Sequence, residues 1–175
     1  MKKPLEQLAE ERIFRPLGMN DTKWGAPVDG ALSRTIRTIN AAPGVISDHG
    51  ARAIAPHRIG NAGIFSTASD LAKFCRMMLN RGRGFFKTDI AELFFTNQAP
   101  PGMTPRSIGW NMAPDFIPEG CSASTIHHTG WTGQAVWIDP AKQRFLILLT
   151  NRFGDSIESW RGRLAAAQEI FNTIV

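Results

Sequence analysis

The run Phe145-Leu146-Ile147-Leu148-Leu149 constrains this chain more than any other segment. Its neighbours, Arg144 and Thr150, extend it to a strand-length element, and Gln134-Ala135-Val136-Trp137-Ile138 precedes it across a turn at Asp139-Pro140-Ala141-Lys142-Gln143. That is the pattern of a β-hairpin. A strand that is apolar at every position buries both of its faces and normally has a partner on each side. The hairpin supplies one partner. No convincing run of β-formers after Thr150 or in the first half of the chain supplies the other. The sequence therefore predicts part of a larger sheet, with the strand at 145–150 left at an open edge and available for self-association.

The rest of the chain reads by its hydrophobic period. Ile157, Trp160, Leu164, Ala167, Phe171 and Ile174 recur at helical spacing, which predicts a C-terminal amphipathic helix covering one face of the sheet. Ser107 to Met112 reads as a further strand. Upstream, Pro4, Leu5, Leu8, Ala9 and Ile13 predict a first helix that stops before Arg15-Pro16. Asn20 to Gly60, rich in proline and glycine, reads as loop with short helices at most. A helix follows, with Thr67 as cap, Asp70 in a near capping box, and Leu71, Phe74, Cys75 and Met78 on one apolar face before Asn80-Arg81-Gly82. Ile90 to Phe95 predicts another, shorter helix. The expected class is α+β in a single partial domain: a helical and loop-rich region over 1–105, then antiparallel strands and the C-terminal helix over 106–175.

At 175 residues, folding buries roughly 70% of the surface that the unfolded chain exposes, enough for a real core. Apolar residues make up 43%, charged residues 20%, and no apolar run approaches the ~20 residues of a membrane helix, which argues against disorder and a membrane partner. Met1 to Glu6 shows no signal-peptide core. The net charge of +5 raises the question of a nucleic-acid partner, but the arginines are scattered, and none is expected.

Four histidines and two cysteines are the first residues to weigh for chemistry. His127 and His128 are adjacent and point to opposite sides of a strand, so they do not chelate one ion, and neither a metal nor another cofactor is expected. Cys75 lies in a helix's apolar stripe and Cys121 in a loop without an orienting partner, so both read as structural thiols. The distinctive stretch runs from Ile126 to Pro140, with the polar His128-Thr129-Gly130 read at the start of a strand and Gly133 three residues after Gly130. Two glycines three apart fit either a glycine bulge or a close approach by another backbone or a ligand to free main-chain N–H groups. Spacing alone leaves both readings open.

With Glu11-Arg12-Ile13-Phe14-Arg15-Pro16-Leu17-Gly18-Met19, Asn61 to Leu71, and His128 to Gly133 running on to Leu149-Thr150-Asn151-Arg152, the chain resembles the superfamily of serine β-lactamases, penicillin-binding proteins and related esterases. The three blocks occur in the order of that family and span nearly the whole chain. The resemblance implies an antiparallel sheet flanked by terminal helices, a helical region, and acyl transfer on an amide or ester through a serine acyl-enzyme. It implies that His128 stands in the lysine position of a K-T-G motif, that Thr129 offers a hydroxyl, that Gly130 permits close approach, and that the Trp131 N–H is half of an oxyanion hole. A histidine there, mostly neutral at pH 7, favours esters and uncharged amides over carboxylate-bearing β-lactams.

Two motifs of the family are missing. S-x-x-K needs a serine three before a lysine, yet Asn20, Asp70, Gly84 and Asp139 precede Lys23, Lys73, Lys87 and Lys142. Y-x-N is absent because the chain has no tyrosine. The sequence is thus expected to be the C-terminal portion of such a hydrolase, with no catalytic nucleophile or base of its own. A small amide or ester substrate is expected only if an N-terminal portion completes the site. The competing expectation is an interaction module that completes its sheet with a separate chain or a second copy.

Overall fold

The structure, a computed structural model, describes residues 3–25, 32–38, 41–152 and 156–174. It divides into two compact units, residues 1–74 and 75–175.

In the first unit, α1 (Leu5–Ala9) runs directly into a wider π-helical turn at Glu10–Phe14. Ala9, Phe14 and Met19 are buried, with Ile13, Leu17, Trp24 and Phe74 packed around them. Among its described residues, the region predicted as loop contains a 3-10 turn at Leu32–Arg34 and a short helix, α2 (His49–Ala53), capped by Asp48, whose side chain accepts from Ala51 N at 2.7 Å. It also holds a strand that the sequence reading did not foresee: β1 (Lys23–Trp24) pairs antiparallel with β2 (Ile64–Phe65). Two residues are too few to show a period, and neither strand belongs to the main sheet.

Helix α3 (Ala68–Leu79) begins as predicted, with Asp70 N donating to Thr67 Oγ1 at 3.2 Å. The capping box is only half formed. Instead of turning back to Thr67, the buried Asp70 carboxylate accepts from Asp21 N at 2.8 Å, Thr22 Oγ1 at 2.9 Å and Lys73 Nζ at 2.9 Å. Burial alone raises its pKa, but these donors outweigh burial and hold it below the usual carboxylate value. The helix ends where Arg81 and Gly82 adopt left-handed backbone and their N–H groups return to Met78 and Met77.

The second unit continues through α4 (Thr88–Leu93), which anchors Ala91 in the interior. Its centre is a five-stranded antiparallel sheet in the order β3 (Arg106–Ser107), β4 (Trp110–Asn111), β5 (Ile126–Thr129), β6 (Gln134–Asp139) and β7 (Arg144–Leu149). The single strand expected at Ser107–Met112 is instead a tight hairpin: Gly109, at φ +75°, reverses the chain, so Ser107 pairs with Trp110. The second correction concerns His128-Thr129, which closes β5 rather than opening β6. Residues 130–133 form the turn between the two strands.

The predicted hairpin of β6 and β7 is present over six paired positions, from Gln134 opposite Leu149 to Asp139 opposite Arg144. Asp139, fully buried, secures its closed end by accepting from Ser122 N at 3.0 Å and Lys142 N at 3.3 Å. The C-terminal helix α5 (Ser156–Thr173) covers one face as its apolar spacing predicts. Ala135 and Trp137 of β6 join Ala167 and Phe171 of α5 in a buried cluster, flanked by Leu146, Leu148, Trp160 and Leu164. Truncating a buried aromatic such as Trp137 in a core of this kind costs about 3–5 kcal/mol. Among the described residues, β7 pairs with β6 alone and forms the sheet's edge. Phe145 through Leu148 are only half-buried, and Leu149 is exposed. Among the described residues, the edge of β7 away from β6 is thus unpaired.

Candidate active-site strand and turn

Strand register decides which way each histidine faces. His127 lies opposite Trp137, which lies opposite Leu146, so His127 is on the α5 face. His128 lies opposite Val136 and then Ile147, on the other face. The expected divergence of the two side chains holds, and no chelating pair exists. Among the described residues, no group of three or more His, Cys, Asp or Glu side chains could hold a metal ion.

His127 is buried, its ring stacked on Phe116 at 5.8 Å, and Phe116 in turn meets Trp160 at 5.2 Å. Neither ring nitrogen has a hydrogen-bond partner among the described residues. Burial, helped by the nearby His128 and Arg106, lowers its pKa to about 4. His127 is therefore a neutral core aromatic. His128 is exposed, with Nδ1 3.1 Å from the Thr129 carbonyl, and is the ring available to a ligand.

After Thr129 the turn is tied down carbonyl by carbonyl. Gly130 O accepts from Gly133 N at 3.0 Å, Trp131 O from Arg152 Nη1 at 3.2 Å, Thr132 O from Arg152 N at 2.9 Å, and Gly133 O from Thr150 Oγ1. Gly130 N donates to Gln134 O at 2.7 Å. By contrast, no described residue accepts from the Trp131 N–H. Because the 130–131 peptide is trans and its carbonyl points to Gly133, that N–H points the opposite way. Trp131 is 60% exposed, and Arg152 lies over the face of its indole at 4.1 Å.

The two glycines of the turn have different needs. Gly133 has φ +119°, and a β-carbon there would lie 2.7 Å from Arg152 N and 2.8 Å from Thr150 O, both backbone atoms that cannot yield cheaply. At Gly130 the nearest atom to such a carbon is Gln134 Oε1, the end of a flexible side chain, so its requirement is weaker. Of the two readings left open by spacing, close backbone approach is met at Gly133, where the partner is the chain's own segment after β7.

Thus His128, Thr129, Gly130 and Trp131 lie together at the end of one strand and its turn. Sequence reasoning gave no role to Thr150 and Arg152, although both stand in a block that carried the resemblance. Their contacts are made to main-chain carbonyls, which leave no side-chain pattern to recognise. Both thiols are unsuited to nucleophilic work: burial pushes Cys75 up to about 12 and raises Cys121 as well. Lys73, bonded to Asp70 and to the Gly18 carbonyl, is a structural cation.

A family model described as Beta-lactamase matches residues 1–169. The chain belongs to the β-lactamase family. Relatives of this family member include a Bacillus subtilis (strain 168) protein named N-acetylmuramyl-L-alanine amidase, 31% identical over 86% of this chain and 40% of that protein. An Escherichia coli (strain K12) protein whose name places it with the D-alanyl-D-alanine carboxypeptidases is 29% identical over 85% of this chain and 40% of its own length. The chain thus spans about 40% of the length of the curated relatives it matches. Among solved structures, a penicillin-binding protein homologue from Caulobacter crescentus superposes with a TM-score of 0.65, at 20% identity, over 95% of this chain and 53% of that one. A β-lactamase from Mycobacterium bovis gives 0.60 at 22% identity, over 95% and 56%. These likenesses show the β-lactamase fold.

The buried neutral His127 makes the sheet sensitive to acid. The unfolded chain takes up a proton at this residue near pH 6.5 and the folded chain only near 4, so stability falls as pH drops through that interval, by roughly 3 kcal/mol in total. His127→Leu should remove this component. Urea midpoints at pH 7 and pH 4.5 should converge more closely in the variant than in the parent, and an unchanged difference would contradict the assignment.

Proposed function

We propose that this chain is the C-terminal portion of a β-lactamase-related serine hydrolase and contributes the electrophile-binding half of an acyl-transfer site. The single observation that carries the reading is the Trp131 N–H. It is a main-chain donor without a described acceptor, on a turn whose four carbonyls are all engaged, at the end of the strand that presents His128. A fixed, uncommitted donor is what an oxyanion hole requires, because no reorganisation is then needed as negative charge develops on the substrate oxygen.

In this reading His128 hydrogen-bonds the substrate or a tyrosine supplied by the rest of the hydrolase, and Thr129 adds a hydroxyl. The substrate is an amide or an ester, and the amidase name of the Bacillus subtilis relative supports the amide side. The nucleophilic serine, its lysine and the second donor of the oxyanion hole lie outside these 175 residues, since no S-x-x-K or Y-x-N occurs in them.

Purified chain should therefore show no turnover of a chromogenic cephalosporin or a nitrophenyl ester above a denatured control, and a fluorophosphonate should label no serine. Stoichiometric modification of one serine would overturn the proposal.

A second reading, an interaction module, is supported by the edge strand β7. Its outer backbone groups have no partner among the described residues, and apolar side chains line both of its faces. The occupant of that edge is an N-terminal portion of the hydrolase or, in the isolated chain, a second copy. On this basis the chain should sediment as a dimer or larger species, and Ile147→Lys should return it to monomer with an unchanged far-ultraviolet circular dichroism spectrum. A compact wild-type monomer at high concentration would contradict it.

A further inference from the structure

We infer that Arg152 is a positioning residue for the Trp131 amide, an assignment that rests on the reading of that amide as an oxyanion donor. Arg152 holds the turn by three separate contacts. Its backbone N–H reaches Thr132 O at 2.9 Å, its Nη1 reaches Trp131 O at 3.2 Å, and its guanidinium covers the indole of Trp131 at 4.1 Å. The first contact fixes the peptide after Thr132. The second fixes the peptide after Trp131, while Gly133 N fixes the one before it.

These three consecutive peptide planes determine where the Trp131 N–H points. Each plane has only two soft dihedrals on either side, so pinning both neighbours of the Trp131 α-carbon leaves that N–H little angular freedom. Arginine suits the task better than lysine: its planar fork donates to a carbonyl while its face stacks on a ring, and it stays charged at any working pH. Gly133 makes the approach feasible, because a side chain there would strike Arg152 N. The exposed indole has a use in the same device. It supplies the surface on which the guanidinium rests, so its exposure does not itself require a bound partner.

The alternative is that Arg152 only stabilises the end of the sheet. Backbone relaxation of the 15N-labelled chain separates the two, because it reads each amide without any catalysis. In the parent the Trp131 amide should be as ordered as those of β6, with an order parameter of about 0.85, while exchanging rapidly with solvent. In Arg152→Ala it should fall below about 0.6, with Ala135 to Asp139 and the melting temperature unchanged. Arg152→Lys, which keeps a donor but not the planar stack, should recover part of the loss.

Unchanged Trp131 order in Arg152→Ala would overturn the assignment. So would a loss shared equally with β6, which would mark Arg152 as a general stabiliser. Failure of the oxyanion reading shows elsewhere, as labelling of a serine in the isolated chain, and leaves this measurement unaffected.

Discussion

The pairing of β6 with β7 is the interaction on which the rest of the second unit depends, because each strand carries a different obligation. Strand β6 is bonded on both sides and places Ala135 and Trp137 against α5, so it anchors the sheet to its covering helix. Strand β7 gives one edge to β6 and, among the described residues, has no partner on the other. The six-position register between them sets where the chain emerges after Leu149, and so puts Thr150 and Arg152 beside the turn at 130–133. A slip of one residue would turn every side chain of β7 to the opposite face and take Thr150 and Arg152 away from the carbonyls they hold.

From that arrangement the chemistry follows in one direction. In a turn whose carbonyls are all engaged, the Trp131 N–H points opposite to the Gly130 carbonyl and has no described acceptor, and the preceding strand end carries an exposed imidazole at His128. In the proposed function this set binds and polarises a carbonyl oxygen. The other candidate groups are committed elsewhere: burial raises both thiols, and Lys73 is bonded to Asp70. Under the proposed function, the sheet edge at β7 and the oxyanion role of Trp131 share one explanation, and the chain spans about 40% of the length of the curated relatives it matches.

Long periodic elements were legible in the sequence for a physical reason: burial of a stripe or a face repeats a residue type at a fixed step. The α5 and α3 stripes and the β6–β7 hairpin all had that signal. Two-residue strands do not repeat, so β1, β2 and the Gly109 hairpin were beyond reach, and Ser107–Met112 read as one strand. His128 to Trp131 were legible through their resemblance to a known motif. What that motif does not encode is its support: Arg152 and Thr150 bond to carbonyls that every residue possesses, and Asp70 left its expected cap because donors on a distant segment compete for it.

The most direct test of the account is hydrogen exchange along β7 in dilute, monomeric protein. In an antiparallel edge strand, successive N–H groups alternate between the bonded side and the open side. From Phe145 to Leu149, the amides facing β6 should exchange at least about 100-fold more slowly than those facing outward, in strict alternation. Uniform protection of all five amides in a monomer would mean that β7 already has a second partner within the chain, and would contradict both the open edge and the partial hydrolase built upon it.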